Sequence, residues 1–557
     1  MKYNVLIAMF ILNIIFPTII EYYNYSNSMF NNDHDTTTEG LNSNAIYEII
    51  QHQDNLWLRT GAGISFIDFD INSKPLFYSL NNSNLPEGGS PALYIDDNIM
   101  VVSGSKAIYD NGRYRPMGTG ISWSTDNGVT WSYIDQSIDV NPEEGVYKYV
   151  NWGDQDSIKF KAITTPIYNV SYDISVQGNF IYATSFAGGI RRFDYTQFNQ
   201  RGICNGDCIA DGVCDCNQPI WELIPLPMDN QDSLMCNEID SETYKYDPVD
   251  PNVDEPESGG SDNHKAFSIF IDDNIWVGTG DGINKGIINP DTNCIDWIHY
   301  NEDNGLGDRW VIGIKKQSEY NRIWAVSWDP SLNEAIPHNL SYSENAGDEW
   351  YIISFFKDIG AIVYDLNFVD NMLYASTSLG LYKTDNDNLN LWLPYNIYDP
   401  DQPLLSEVSY ASNYYSINSE NILLSGSPDG IFYSYNDGFS WTMHRSWNST
   451  EESDKDEKRL SAYPNPFYID NQTQYNGDGY VRIIFYNQSH TNSELDIYNF
   501  NMDHIISLEN PSFLNDEDQY LWNGRNKFNE QVANGVYFCR LILDGKVYWT
   551  KLMVINS

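Results

Sequence analysis

Apolar residues in this chain come in short bursts bounded by Asp, Asn and Gly, and one form of the burst recurs. It reads Asp54-Asn55-Leu56-Trp57-Leu58-Arg59-Thr60-Gly61-Ala62-Gly63-Ile64, then Asp273-Asn274-Ile275-Trp276-Val277-Gly278-Thr279-Gly280-Asp281-Gly282-Ile283. It returns as Asp370-Asn371-Met372-Leu373-Tyr374-Ala375-Ser376-Thr377-Ser378-Leu379-Gly380-Leu381. A turn acid or Asn, three or four apolar residues, a small polar pair and Gly, then more apolar residues, predict two strands of a tight hairpin. Units of this kind begin near Ile46, Ala92, Val170, Ala266, Val311, Ala361 and Val408. One supersecondary unit repeating every ~40–50 residues predicts a radial or stacked all-β array.

Several units close on a second pattern. Its full form is Ser124-Thr125-Asp126-Asn127-Gly128-Val129-Thr130-Trp131; Ser434-Tyr435-Asn436-Asp437-Gly438-Phe439-Ser440-Trp441 is close to it, and Ser343-Glu344-Asn345-Ala346-Gly347-Asp348-Glu349-Trp350 is degenerate. An acid or amide that caps turn N–H groups, a Gly that supplies positive φ and a Trp that buries its ring give the pattern a structural logic. It resembles the Asp-box of β-propellers such as sialidases, sortilins and some glycoside hydrolases. The Gly-containing phrases resemble the short propeller repeat of sensor ectodomains. The resemblance implies a seven-bladed β-propeller over residues 40–446, with Ser124, Asp126, Gly128, Trp131, Ser434, Asn436, Gly438 and Trp441 structural rather than catalytic. Extra length falls between Asp135 and Asn169 and between Tyr195 and Lys265, where insertions in propellers usually build a binding face.

Three further segments complete the chain. Residues 1–22 carry one Lys and an apolar run from Val5 to Ile20, broken by Asn13 and Pro17, which fits a secretory signal peptide better than a membrane span. No small-residue cleavage site follows, so an uncleaved anchor stays open. Residues 447–460 are polar and charged almost throughout and read as an acidic flexible linker. Residues 461–557 form a compact β pattern that opens on Tyr463-Pro464-Asn465-Pro466. It continues through Trp522-Asn523-Gly524 and Gly535-Val536-Tyr537 to a last strand bearing Lys551. In order and spacing these elements are similar to the C-terminal sorting domain of the bacterial type IX secretion system, an immunoglobulin-like β-sandwich related to that of flagellar hook-cap proteins. The resemblance implies export, recognition by the type IX machinery, and a secreted protein attached to the outer-membrane surface.

Composition narrows the function. With 77 acids against 31 bases among 557 residues, the net charge of −46 repels nucleic acid and anionic lipid, so nucleic-acid binding is set aside. Aromatic residues make up 15%, which suits pleated, half-buried surfaces. Of the seven Cys, Cys204, Cys208, Cys214 and Cys216 crowd together, with Cys236 and Cys294 nearby. Under an export signal these six read as disulfide candidates, with zinc as the rival, and Cys539 in an apolar strand is the expected odd thiol. Asp207, Asp211 and Asp215 lie among the clustered Cys, so a weakly signalled Ca²⁺ site is left open, although the EF-hand order of ligands is absent.

Catalytic signatures are missing. There is no His-Glu-x-x-His, no Gly-x-Ser-x-Gly and no phosphate-cradling glycine loop, and the Arg-Ile-Pro element of sialidases is absent. Residues picked out for binding are the paired Arg191 and Arg192, His264 at the entrance of the fourth unit, and Trp328. The expectation is a non-catalytic propeller that binds a glycan or a surface protein. The alternative is a secreted glycoside hydrolase-like or sialidase-like enzyme acting on polysaccharide, for which paired carboxylates would be needed.

Overall fold

The computed structural model describes residues 37–110, 113–139, 147–152, 155–161, 164–167, 169–197, 221–236, 239, 244–247, 262–328, 338–399, 407–418, 420–445, 460–463, 465, 467–469, 480–487, 491–509, 511–514 and 517–555. The expected signal peptide (1–22), residues 447–459 of the expected linker, the clustered Cys204, Cys208, Cys214 and Cys216 with their Asp residues, Pro464 and Pro466 lie outside them; Leu460, expected in the linker, is buried in the core of the C-terminal sandwich. Cys236 and Cys294 are joined as a disulfide, and Cys539 is a free, buried thiol.

Among the described residues between 46 and 444, seven four-stranded antiparallel meanders follow one another, spanning 46–80, 93–134, 171–224, 266–300, 310–353, 363–394 and 411–444. Two carry a fifth, outer strand: Thr37–Glu39 beside Pro75–Leu80, and Ser233–Leu234 beside Ile295–Tyr300. The innermost strands begin at Ile46, Leu93, Ser171, Ala266, Trp310, Val363 and Ala411, within three residues of the expected starts.

Each sheet buries a face against the next, so the core is a ring of small interfaces. Trp57 and Ile64 meet Met100 and Trp131 between the first and second sheets. Ile121 meets Ile181 and Phe193 between the second and third. Trp276 meets Val311 and Trp350, and Trp324 meets Val363 and Trp392. Tyr374 meets Phe432 and Trp441, and Ile422 and Leu424 of the seventh sheet return to Ile46 and Leu58 of the first. The result is a closed β-propeller.

The recurring phrase now has a physical reason. The small polar residue that ends the second strand braces the turn into the third. Thr60 Oγ1 accepts from Ala62 N at 3.1 Å and donates to Gly63 O at 2.9 Å. Thr279, Thr377 and Ser427 repeat the brace around Gly282, Gly380 and Gly430. Those glycines sit at φ of 104°, 114°, 106° and 139°, which a side chain would strain.

The other turn pattern lies at the opposite ends of the strands. Ser124 Oγ accepts from Gly128 N at 2.9 Å and donates to Asp126 Oδ1, which takes Thr130 N at 2.8 Å. Trp131 is buried and donates to Gly128 O at 2.9 Å. Ser434, Asn436 and Gly438 repeat these bonds above buried Trp441. The degenerate copy at Ser343, Asn345 and Gly347 folds the same way, because Asn345 Oδ1 supplies the acceptor that an Asp would.

Residues 460–555 form a two-sheet β-sandwich around their own core, which includes Phe467, Val481, Leu495, Trp522, Tyr537, Cys539, Leu541 and Leu552. Alternate burial along Gly535–Leu543 sends Tyr537, Cys539, Leu541 and Leu543 inward. Among the described residues no helix is long and apolar enough to cross a membrane.

Candidate functional site at the propeller axis

Strand direction puts two kinds of connection on one face: the turns from second to third strand, and the crossovers between sheets. The first long insertion, 135–169, is the crossover from the second sheet to the third and belongs to this face. Of the second, the part after Ile224 is a crossover here, whereas the part between Asp194 and Glu222 joins the third and fourth strands of the third sheet at the other face. The Ser-x-Asp/Asn turns close the other face.

On the crossover face five of the innermost strands share a defect. Their registers slip at Ile46/Glu48, Ser171/Asp173, Ala266/Ser268, Val311/Gly313 and Val363/Asp365. A bulge places two residues opposite one and re-aims a side chain. The extra residues are Tyr47, Tyr172, Phe267, Ile312 and Tyr364, and all five line one cavity of about 110 Å³. Arg59, Pro91, Trp328 and Tyr410 complete its wall, so all seven sectors of the ring contribute. Rings touch around the rim: Tyr47 to Tyr410 at 5.2 Å, Tyr410 to Tyr364 at 5.1 Å and Tyr172 to Phe267 at 6.2 Å. Phe186 packs behind Phe267 at 6.1 Å.

Three of the five residues that follow the bulges are acidic. Glu48, Asp173 and Asp365 come from the first, third and sixth sheets. Lys315 of the fifth sheet lies 2.9 Å from Asp365 and 3.7 Å from Glu48, a span that crosses the axis. Lys315 is surrounded by protein yet keeps 38% of its side chain open to axial water. Burial works against its charge, but Asp365 and Glu48 more than offset this and hold it firmly protonated. Burial pushes Asp173 up to about 7, against hydrogen bonds from Ile269 N and Ile174 N. Burial likewise raises Asp365, with Lys315 opposing. Arg59 is committed: it bonds Glu48 at 3.1 Å, the Pro91 carbonyl, and Tyr47 O at 3.5 Å.

Of the four residues picked out for binding, Trp328 lines the cavity and the other three do not. Arg191 is buried, with Asp139 at 2.8 Å, Ser137 Oγ at 2.6 Å and Thr164 Oγ1 at 3.1 Å, so it pins both ends of the first insertion to the third sheet. Arg192 bonds Glu222 at 2.6 Å and lies over Phe180 and Trp152 at 4.7 and 5.1 Å. His264 is fully buried; its Nδ1 accepts from Asp247 N at 3.0 Å, its Nε2 faces Leu226 O at 3.3 Å, and its ring stacks on Tyr246 at 4.4 Å. Burial pulls His264 down to about 4, so it is a neutral packing residue. All three hold inserted chain against the blades. Tyr47, Tyr172, Phe267, Tyr364 and Tyr410 were missed because a bulged aromatic reads locally as any strand aromatic.

In the C-terminal sandwich, Asn465 acts as a substitute strand. Its Nδ2 donates to Lys551 O at 2.8 Å and its Oδ1 accepts from Met553 N at 2.9 Å. A side-chain amide thus pairs the edge of the last strand between two prolines that cannot both donate and accept. Trp522 is buried with Nε1 donating to Arg525 O at 2.8 Å, and Tyr537 Oη donates to Ala533 O at 2.8 Å. Gly524 has φ of 72° and a Cβ there would lie 2.7 Å from Ile469. Gly535 opens the strand that Tyr537 occupies, and Lys551 is exposed on the last strand. Among the described residues, no three His, Cys, Asp or Glu side chains converge to hold a metal ion.

No protein-family model matches the chain, and no curated protein matches it. Solved structures do. PorZ, described as an essential surface component of the type-IX secretion system of Porphyromonas gingivalis, is 10% identical with a TM-score of 0.35, over 92% of this chain and 66% of that one. The extracellular domain of the putative one-component system BT4673 from B. thetaiotaomicron is 12% identical, with a TM-score of 0.20 over 92% and 87% of the two chains. AztD from Citrobacter koseri is 9% identical, with a TM-score of 0.33 over 72% and 86%. This chain therefore spans just under two thirds of the length of PorZ. At such scores these likenesses carry no argument about ligand or activity.

Proposed function

We propose that this protein is an exported, surface-directed, non-catalytic β-propeller that captures a glycan at the aromatic mouth of its axis. In this reading residues 1–22 direct export, 40–446 form the capture domain, 447–460 are a linker, and 461–557 are the type IX sorting signal that brings the protein to the outer-membrane surface. The observation that carries the capture role is the set of bulges that turns aromatic residues of the first, third, fourth and sixth sheets toward one cavity. Aromatic faces with hydroxyl tips suit stacking on a sugar's C–H face while bonding its hydroxyls. Around the cavity the charges answer one another, Arg59 to Glu48 and Lys315 to Asp365, which suits holding a ligand more than attacking it.

One observation favours the enzyme alternative. Asp173, one residue beyond the wall, is held at about 7, where a general acid or base works best. The deciding experiment incubates the full chain with a panel of polysaccharides and surface glycans, scoring binding and release of reducing ends together. Retention without release supports capture. Released ends overturn the non-catalytic reading, and silence on both counts overturns the glycan in favour of a protein partner. For the tail, deleting 461–557 should leave the protein in the periplasm of a host that carries the type IX machinery; surface display without it would refute the sorting role.

A further inference from the structure

We propose that the axial cavity is a blind well that takes the terminal residue of its glycan end-on, and that this residue is uncharged. The inference rests on the capture reading and goes beyond it in geometry and in ligand class.

The geometry comes first. Every sector of the ring contributes to the wall, so the cavity has no open side along which a chain could lie. Beyond the bulged aromatics the axis is bridged: Lys315 reaches from the fifth sheet to Asp365 of the sixth and Glu48 of the first. A polysaccharide threading the ring would have to displace that ion pair. A groove accepts the middle of a chain, whereas a walled pit bridged below accepts only an end.

The ligand's charge follows from the same residues. Arg59 is the cation in the wall, and its guanidinium already serves Glu48, Pro91 O and Tyr47 O. A carboxylate-bearing sugar would need guanidinium donors in a fork to replace its water, and it would approach a protein of net charge −46. A cationic sugar would find the acids beside the cavity already engaged, Glu48 by Arg59 and Asp365 by Lys315. Aromatic faces make up most of the wall, and they match a neutral hexose or pentose ring.

The test uses the full chain and oligosaccharides of two to six residues from the cello-, manno-, xylo- and malto-series. Each is offered unmodified, capped by a 4,6-benzylidene (or 4-O-methyl) group at the non-reducing end, or reduced to the alditol at the other end. Calorimetry should show affinity that stops rising after two or three residues and falls at least about tenfold when one of the two ends is blocked, as loss of a stacked ring in its pocket implies. A uronate-terminated counterpart should also bind at least about tenfold more weakly. Tyr172→Ala and Tyr364→Ala, each checked for an unchanged circular dichroism spectrum, should weaken the best ligand about three- to tenfold. Tyr364→Phe, which keeps the ring, guards against a variant that fails to fold. Affinity that climbs with every added residue and ignores both blocks overturns end-on binding while leaving glycan capture intact. Preference for the uronate overturns the neutral class. Absence of binding to any sugar overturns this proposal and the capture reading together.

Discussion

Replacing Lys315 by Met tests whether the charge at the axis is a structural tie. The substitution keeps the length of the side chain and removes its charge, leaving Glu48, Asp173 and Asp365 facing one another. Deleting one partner of a fully buried ion pair costs about 3–5 kcal/mol. Lys315 keeps 38% of its side chain open to water, so screening lowers the figure, and about 2 kcal/mol is expected at pH 8. The pH dependence is more diagnostic than the size. Burial already raises Asp365 above its ordinary value with Lys315 holding it back, so the variant's carboxyl rises further. A carboxyl whose folded pKa is raised contributes stability that is present at low pH and lost as pH climbs through that raised value. The variant should therefore lose about 2 kcal/mol at pH 8 and under about 1 kcal/mol at pH 5. Urea denaturation of the full chain, followed by near-ultraviolet circular dichroism at both pH values, measures the difference. Equal losses at the two pH values, or a loss under about 0.5 kcal/mol at pH 8, would refute the tie.

Three other outcomes follow from the same structure. His264 falls from 6.5 to about 4 on burial, so its stabilising share is full above pH 6.5 and drains away toward pH 4, by about 3 kcal/mol in all. His264→Gln, which can still accept from Asp247 N and donate to Leu226 O, should flatten that acid loss in urea titrations. Asn465→Ala removes both side-chain bonds to the last strand and should cost the sandwich about 1–2 kcal/mol, with amide exchange at Met553 faster by about tenfold. Changing Cys236 and Cys294 together to Ser opens a loop of 58 residues and should lower stability by up to about 4 kcal/mol, and non-reducing peptide mapping of the parent should recover the two as one linked fragment.

The blades were legible because each is written locally. A turn acid, an apolar strand, and a Thr or Ser before Gly all act within a dozen residues, and the brace at Thr60, Thr279 and Thr377 explains why the phrase keeps its small polar residue. The Ser-x-Asp/Asn turns were legible for the same reason, and Asn345 shows that their chemistry tolerates an amide. The axial site was hidden because it exists only after the ring closes. Tyr47 and Tyr364 lie far apart in sequence, and what unites them is a bulge with no signature in the residues themselves. Arg191, Arg192 and His264 misled in the opposite way. Cations are scarce in so acidic a chain and read as ligand contacts, but inserted segments need anchors: Arg191 and Arg192 provide them with matched acids, and His264 as a neutral ring between backbone partners.

The joint between the first and last sheets has a mechanical meaning. Among the described residues no strand ladder joins them; the hold includes Asn413 Nδ2 to Ile49 O, Tyr415 Oη to Asp54 O, Tyr435 Oη to Ser73 O, the stacks of Phe77 on His444 and Phe69 on Tyr415, and the apolar contacts around Ile422. The chain leaves the last sheet at His444 toward the C-terminal sandwich. A pull on that sandwich is thus borne first by the seventh sheet, across the seam that, unlike those between consecutive sheets, no crossover of the chain spans. Under load the ring would part there, peeling into an open crescent while the other six joints still held, and the aromatic well, which needs Tyr47 beside Tyr410, would come apart in the same step.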